Sequence, residues 1–159
     1  MANQVMNFAR GSIGWYSDVL RGLLPAASRL TIVILQVSVA DDALNNFDEL
    51  EALLADAGNT EALSTNYARI EVAGANITWT VDDTGNDAQA IFDADQVFSN
   101  ISQVASESWV KLLVCYDADN GVGDDGDIIV LTHHDFSVTP NGGDITADFD
   151  QTNGYYGST

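Results

Sequence analysis

The run Leu30–Val39 constrains this chain more than any other feature. Its sequence, Leu-Thr-Ile-Val-Ile-Leu-Gln-Val-Ser-Val, is rich in β-branched residues and begins apolar on both faces. β-branched side chains favour extended backbone, and apolarity on both faces marks a strand covered from two sides. A second run, Trp109–Tyr116, reads the same way. Around these two lie shorter segments with period-two patterning. Ala68, Ile70 and Val72 share one face, and Tyr67, Arg69 and Glu71 the other. Ile77, Trp79 and Val81 point in from a strand over 76–82, with Thr78 and Thr80 outward. Further strands are predicted over 88–92, 127–137 and 144–149, separated by turns rich in Asp, Asn and Gly. The expectation is a mainly β fold, an antiparallel β-sandwich or barrel-like domain with an N-terminal arm and one or two short helices.

Two segments break this pattern. Residues 43–57 read as a helical insertion, with Leu44, Phe47, Leu50, Leu53 and Leu54 on one stripe, acids at its start and Gly58 as a stop. Residues 1–28 read as an arm before a single β-rich domain over 29–159. Gly11 and Gly14 interrupt any early helix, Trp15, Val19, Leu20, Leu23 and Leu24 fall at helical spacing, and Pro25 ends that pattern. Such a segment either lies along a partner or packs as a short helix on its own domain.

Charge sharpens the contrast between arm and body. Of the formal charge of −19, residues 1–40 contribute +2, through Arg10, Arg21 and Arg29 against Asp18. The remaining residues carry 23 acids against Arg69 and Lys111. A body this acidic repels nucleic acid and anionic lipid. The run Leu30–Val39 is too short to cross a bilayer, and the N-terminus lacks the pattern of a secretory signal, so synthesis in the cytosol is expected. The single cysteine, Cys115, sits in an apolar run and reads as a small buried hydrophobe.

Three features bear on candidate chemistry. The loop Asp117–Asp127 holds five aspartates and suggests Ca²⁺. Its glycine falls one place early for an EF-hand, and Ile128 stands where the bidentate acid belongs, so a solvated turn is the leading reading and Ca²⁺ the lesser one. In His133-His134-Asp135, adjacent side chains of a strand point to opposite faces, so the two imidazoles cannot share a metal, whereas His133 and Asp135 share a face. Neither a nucleophile elbow nor a phosphate-binding glycine loop occurs. No catalytic, cofactor or metal residue is assigned, and the chain is not expected to be an enzyme.

One pattern spans much of the chain. It comprises Tyr67-Ala68-Arg69, Val81-Asp82-Asp83, Phe92-Asp93-Ala94-Asp95-Gln96-Val97, the strand Trp109–Asp117, and Thr139-Pro140-Asn141-Gly142-Gly143-Asp144-Ile145-Thr146. This resembles small virion structural proteins of tailed bacteriophages, most closely the capsid decoration type. The resemblance covers roughly residues 60–150, and the insertion 41–65 and the acidic loop depart from it. It implies a protein bound outside the head shell, partnered by the major capsid protein and by itself as a homo-oligomer, commonly a trimer, with no role for nucleic acid or membrane. The partner-binding residues expected are Arg10, Trp15, Tyr16 and Arg21 in the arm and Tyr155 and Tyr156 near the C-terminus. The alternatives are a tail or connector subunit and a fibre-associated host-adhesion module, the latter needing an exposed aromatic platform from Trp79, Trp109, Tyr155 or Tyr156.

Overall fold

The structure is a computed structural model that describes residues 4–7, 9, 27–82, 87–119, 123–149 and 156–158. It is mainly β and antiparallel, as the patterning predicted. The main sheet is built on β2 (Arg29–Val37), β8 (Trp109–Asp117) and β9 (Ile128–Val138), with β8 in the middle. Beyond β9 lies β1 (Gln4–Val5). Beyond β2 lie two short strands, β3 (Thr60–Glu61) on its C-terminal half and β4 (Ile70–Ala73) on its N-terminal half. β2 and β8 pair from Arg29 with Asp117 through to Leu35 with Lys111.

The doubly covered character of these two strands is realised literally. Leu30 through Leu35 and Lys111 through Asp117 are all buried. On one face the sheet meets two small sheets: β5 (Ile77–Asp82), β6 (Asp87–Phe92) and β11 (Tyr156–Ser158) form one, and β7 (Gln96–Phe98) with β10 (Ile145–Ala147) the other. Aromatic rings seal this side. Phe98 and Tyr67 pack on Trp109, Trp109 on Phe136, and Phe149 bridges Phe92 and His134. The opposite face carries α1 (Asp41–Leu44) and α2 (Leu50–Ala55), which bury Leu44, Leu50 and Leu53. The arrangement is sandwich-like, with the core on both sides of β2 and β8.

Two local expectations are corrected, and four short strands are added. The helix predicted across 43–57 is two short helices, because the chain between them leaves helical geometry to bond β9. Val130 N–H donates to Asp48 carbonyl at 3.0 Å, and Glu49 bridges Ile129. Gaining sheet hydrogen bonds outweighs continuing one amphipathic stripe, whose Leu44, Leu50 and Leu53 stay buried anyway. The strand predicted from Tyr67 begins only at Ile70. Tyr67 instead turns inward after Asn66, which has φ of 68°. Its hydroxyl accepts from Ile34 N–H at 3.0 Å and donates to Glu61 Oε1 at 2.9 Å. The tyrosine thereby fills the gap between β3 and β4 along the edge of β2. Finally, β1, β3, β7 and β11 had no sequence prediction, being two or three residues long.

The segment read as an arm begins within the sheet. Gln4 and Val5 pair with His133 and Thr132, and Met6 and Ala9 are fully buried. Arg10, Trp15, Tyr16, Arg21 and Tyr155 lie outside the described residues.

Candidate functional site

A concavity of about 720 Å³ opens beside the helical face of the sheet. Its walls come from 36–42, the end of β2 and the chain leading into α1, and from Val110, Lys111 and Asp135. Lys111 sits at its base because both faces of β8 are covered, and on the helical face its ammonium meets Asp41 and Asp135 beside Val37, Val39 and Val110. The ammonium lies 2.5 Å from Asp41 Oδ1 on α1 and 2.5 Å from Asp135 Oδ1 on β9. The Lys111 side chain is 7% exposed. Desolvation pulls its ammonium down, but the hydrogen bonds to Asp135 and Asp41 outweigh it and hold the group above the ordinary lysine value. The Lys111 hydrogen bond in turn holds the Asp41 carboxyl below its usual range, against desolvation. Lysine acts as nucleophile or base only when deprotonated, and this pair of carboxylates stabilises the charged form.

Behind this group lies His133, fully buried. Its Nε2 is 3.0 Å from Asn45 Oδ1, while Nδ1 is buried without a hydrogen-bond partner. Burial lowers its pKa, as does Lys111, while Asp41 and Asp135 oppose them. His134 points to the opposite face, as alternation requires. Its Nε2 lies 2.9 Å from Thr132 Oγ1 and its ring meets Phe149 edge-on. Burial, followed by the charges of His133 and Lys111, lowers it to about 4. His133 and Asp135 therefore share a face as predicted, yet Asp135 bonds Lys111. The sequence reading missed Lys111 and Asp41. A lone lysine inside an apolar strand, opposite an acid-bearing neighbour, was the available signal.

Cys115 is fully buried, and burial pushes its thiol up. Trp109 is fully buried, as its place in an apolar strand predicted, so it offers no exposed aromatic platform; its Nε1 donates to Ser64 Oγ and Glu107 Oε1, each at 3.1 Å. Tyr156 begins β11 opposite Ala90, and Trp79 lies on β5 opposite the same residue.

The acidic loop is tied to the sheet through Arg69. Its guanidinium spans Glu61 on β3, at 2.7 Å, and Asp125, at 2.5 Å. Other loop carboxylates take backbone donors: Asp119 N–H to Asp117 Oδ1, Gly123 N–H to Asp119 Oδ1, and Gly126 N–H to Asp124 Oδ1. These contacts are those of acid-capped turns. Among the described residues, no group of three or more His, Cys, Asp or Glu is arranged to hold a metal ion.

The run from Thr139 to Thr146, which carries much of the resemblance, is a clasp. Gly142 N–H donates to Ile101 carbonyl at 2.8 Å and Ile101 N–H to Gly143 carbonyl at 2.9 Å. Asp144 Oδ1 accepts from Asn100 N–H, and Gly142 has φ of 94°. No known protein family, curated protein or solved structure matches the chain.

Proposed function

We propose that this chain is a non-enzymatic structural protein of a tailed-bacteriophage particle, a decoration protein that binds outside the head shell and stabilises it. The observation that carries this reading is the use the fold makes of its reactive side chains. Lys111 is clamped between two carboxylates, Cys115 is sealed in the central strand, and His133 is enclosed against Asn45. Side chains committed in this way hold a scaffold together.

Two further features favour the reading. The acidic composition suits an outer layer that stays soluble and away from the genome. Leu63 and Val104, 68% and 41% exposed, flank Glu107, whose Oε1 accepts from Leu63 N–H and whose N–H donates to Val104 carbonyl. They give a small apolar surface suited to contact with another subunit. In this reading the major capsid protein is the partner, a second copy completes a homo-oligomer, and Arg10, Trp15, Tyr16, Arg21, Tyr155 and Tyr156 contribute to docking.

The test is to mix the purified protein with heads of its own phage that lack it, and to count bound copies after sedimentation and by imaging. Hundreds of copies on DNA-filled heads, with heads more resistant to heat, are expected. A handful at one vertex points to a connector or fibre role, and no binding to heads overturns the proposal.

A further inference from the structure

The N-terminal strand is fastened over a histidine that has nowhere to put a second proton. β1 is held by its pairing with Thr132 and His133 and by a short series of bonds after it. Met6 N–H donates to Leu131 carbonyl at 2.9 Å, Asn7 N–H to Asn45 carbonyl at 3.1 Å, and Asn7 Nδ2 to Asn46 Oδ1 at 3.1 Å. Asn45 therefore joins two sides of the seam: its carbonyl takes the chain after β1, and its side-chain oxygen faces His133 Nε2 at 3.0 Å. With an acceptor there, the neutral ring carries its proton on Nε2, and Nδ1 is a bare lone pair. That atom is buried and has no partner.

We propose that His133 is an acid-operated latch on the N-terminal strand, and that a proton taken from water onto Nδ1 opens the seam between β1 and β9.

The surroundings make the charged ring unwelcome in the closed state. From β8, the Lys111 ammonium is the charge of the same sign. Asp41 from α1 and Asp135 from β9 attract it, but both hydrogen-bond Lys111. His134, the other titratable neighbour, belongs to the opposite face and, lowered to about 4, stays neutral over the range in which the latch works. An added N–H at Nδ1 would be a buried donor without an acceptor, on a buried cation. Moving β1 aside lets water reach the ring and solvate the new charge. The closed seam therefore holds fully above the ordinary histidine value of about 6.5 and weakens as pH falls below it. Each further unit of pH favours the open form by up to about tenfold until the closed-state pKa is reached. Opening leaves the outer edge of β9 at Leu131–His133 free for pairing with another strand.

The test is hydrogen exchange at Met6 and Asn7 in the full chain, read by NMR between about pH 7.5 and about pH 5, above the carboxylate range. After correction for the intrinsic rate, the opening constant is expected to rise toward tenfold per unit below about 6.5. His133→Gln should make it independent of pH, and His134→Gln should leave the dependence in place. A flat profile in the unsubstituted protein, or a dependence that survives His133→Gln, overturns the latch. Should His133→Gln fail to fold, the unsubstituted ring decides. Its nitrogen shifts must show a ring that is neutral and protonated on Nε2 while the seam is closed, with any charging displaced below about 6.5. A ring that charges near its ordinary value while Met6 stays protected overturns the latch, as does a ring carrying its proton on Nδ1.

Discussion

The Lys111 ammonium on β8 stands 2.5 Å from the carboxylate of Asp41, a residue 70 positions earlier, at the start of α1. The same ammonium reaches Asp135 on the neighbouring strand at the same distance. One cation thus pins the first helix to the middle of the sheet. Its removal strands two carboxylates beside an apolar wall.

Lys111→Met is accordingly expected to destabilise the fold by about 3 kcal/mol, in the range for breaking a buried ion pair from one side. Asp135→Asn should cost less, about 1 kcal/mol, because Asp135 is 32% exposed and its neutral amide still accepts from Lys111. Urea unfolding of the two variants measures both. A Lys111→Met midpoint equal to that of the unsubstituted protein would mean that the triad is not a structural tie.

Arg69 makes the corresponding tie on the far edge, holding Glu61 on β3 and Asp125 in the acidic loop. The partly exposed setting weakens it, so Arg69→Ala should cost about 1–2 kcal/mol. Arg69→Lys should recover less than half of this, since an ammonium cannot present a fork to two carboxylates at once. Thermal unfolding with added salt checks the electrostatic share. The loss in Arg69→Ala should shrink as salt screens the pairs.

Stability should fall with pH in two stages. His134 has a folded pKa of about 4 and an unfolded value of about 6.5, so the fold prefers the neutral ring. That preference is fully present above about 6.5 and is lost as pH falls toward about 4, by up to about 1.4 kcal/mol per unit. The second stage lies lower. Asp41 and Asp125 are held below their ordinary value by Lys111 and Arg69, so their contribution is present above about 3.8 and disappears as pH falls through the lowered values. Urea midpoints taken across this range should show both limbs, and replacing His133 and His134 together with Gln should flatten the upper one alone.

How much of this was legible beforehand follows from length and burial. β2 and β8 were plain because nine residues of apolar, β-branched sequence admit few other structures. β1, β3 and β7 were not, because strands of two or three residues have too few positions to show a period. Tyr67 and Arg69 fitted a period-two strand on paper, but their polar tips found partners across the fold, at Ile34, Glu61 and Asp125, and the backbone followed. The burial of Cys115 and Trp109 was legible from the apolar runs holding them. The triad of Asp41, Lys111 and Asp135 was not, since it joins three elements through register and helix placement that no local pattern encodes. The partner residues proposed in 10–21 and at Tyr155 lie outside the described residues.

Glu107 separates the worth of a buried acceptor from that of a buried charge. It is buried, and Oε1 accepts from Trp109 Nε1 and from Leu63 N–H, whereas Oε2 is buried without a partner. Glu107→Gln keeps the accepting oxygen and removes the buried charge, but puts two unpartnered N–H donors where Oε2 lies, so stability should stay within about 1 kcal/mol of the unsubstituted protein. Glu107→Ala strands both donors and should cost about 2 kcal/mol. Trp109→Phe, which deletes the indole donor and leaves a void, should cost about 2 kcal/mol as well. Calorimetric melting temperatures rank the three, and a Gln variant that melts as low as the Ala variant would mean that the carboxylate charge itself is required.

The clasp from Thr139 to Thr146 turns on Gly142, whose φ of 94° is one that side-chain-bearing residues rarely adopt. A Cβ there would meet Ser102 Oγ at 3.6 Å, an ordinary contact, so the obstacle to substitution is the backbone and not space. Gly142→Ala should therefore cost about 1–2 kcal/mol. The loss should appear locally as faster exchange of the Gly142 and Ile101 amides, which bond to the Ile101 and Gly143 carbonyls across the clasp. Gly143 lacks the positive φ, and a Cβ there would meet only the Asn141 side-chain oxygen at 3.2 Å. Because that oxygen can shift by a few tenths of an ångström, Gly143→Ala should cost less than half as much. Equal losses at the two glycines would place the constraint in packing and would remove the conformational account of this turn.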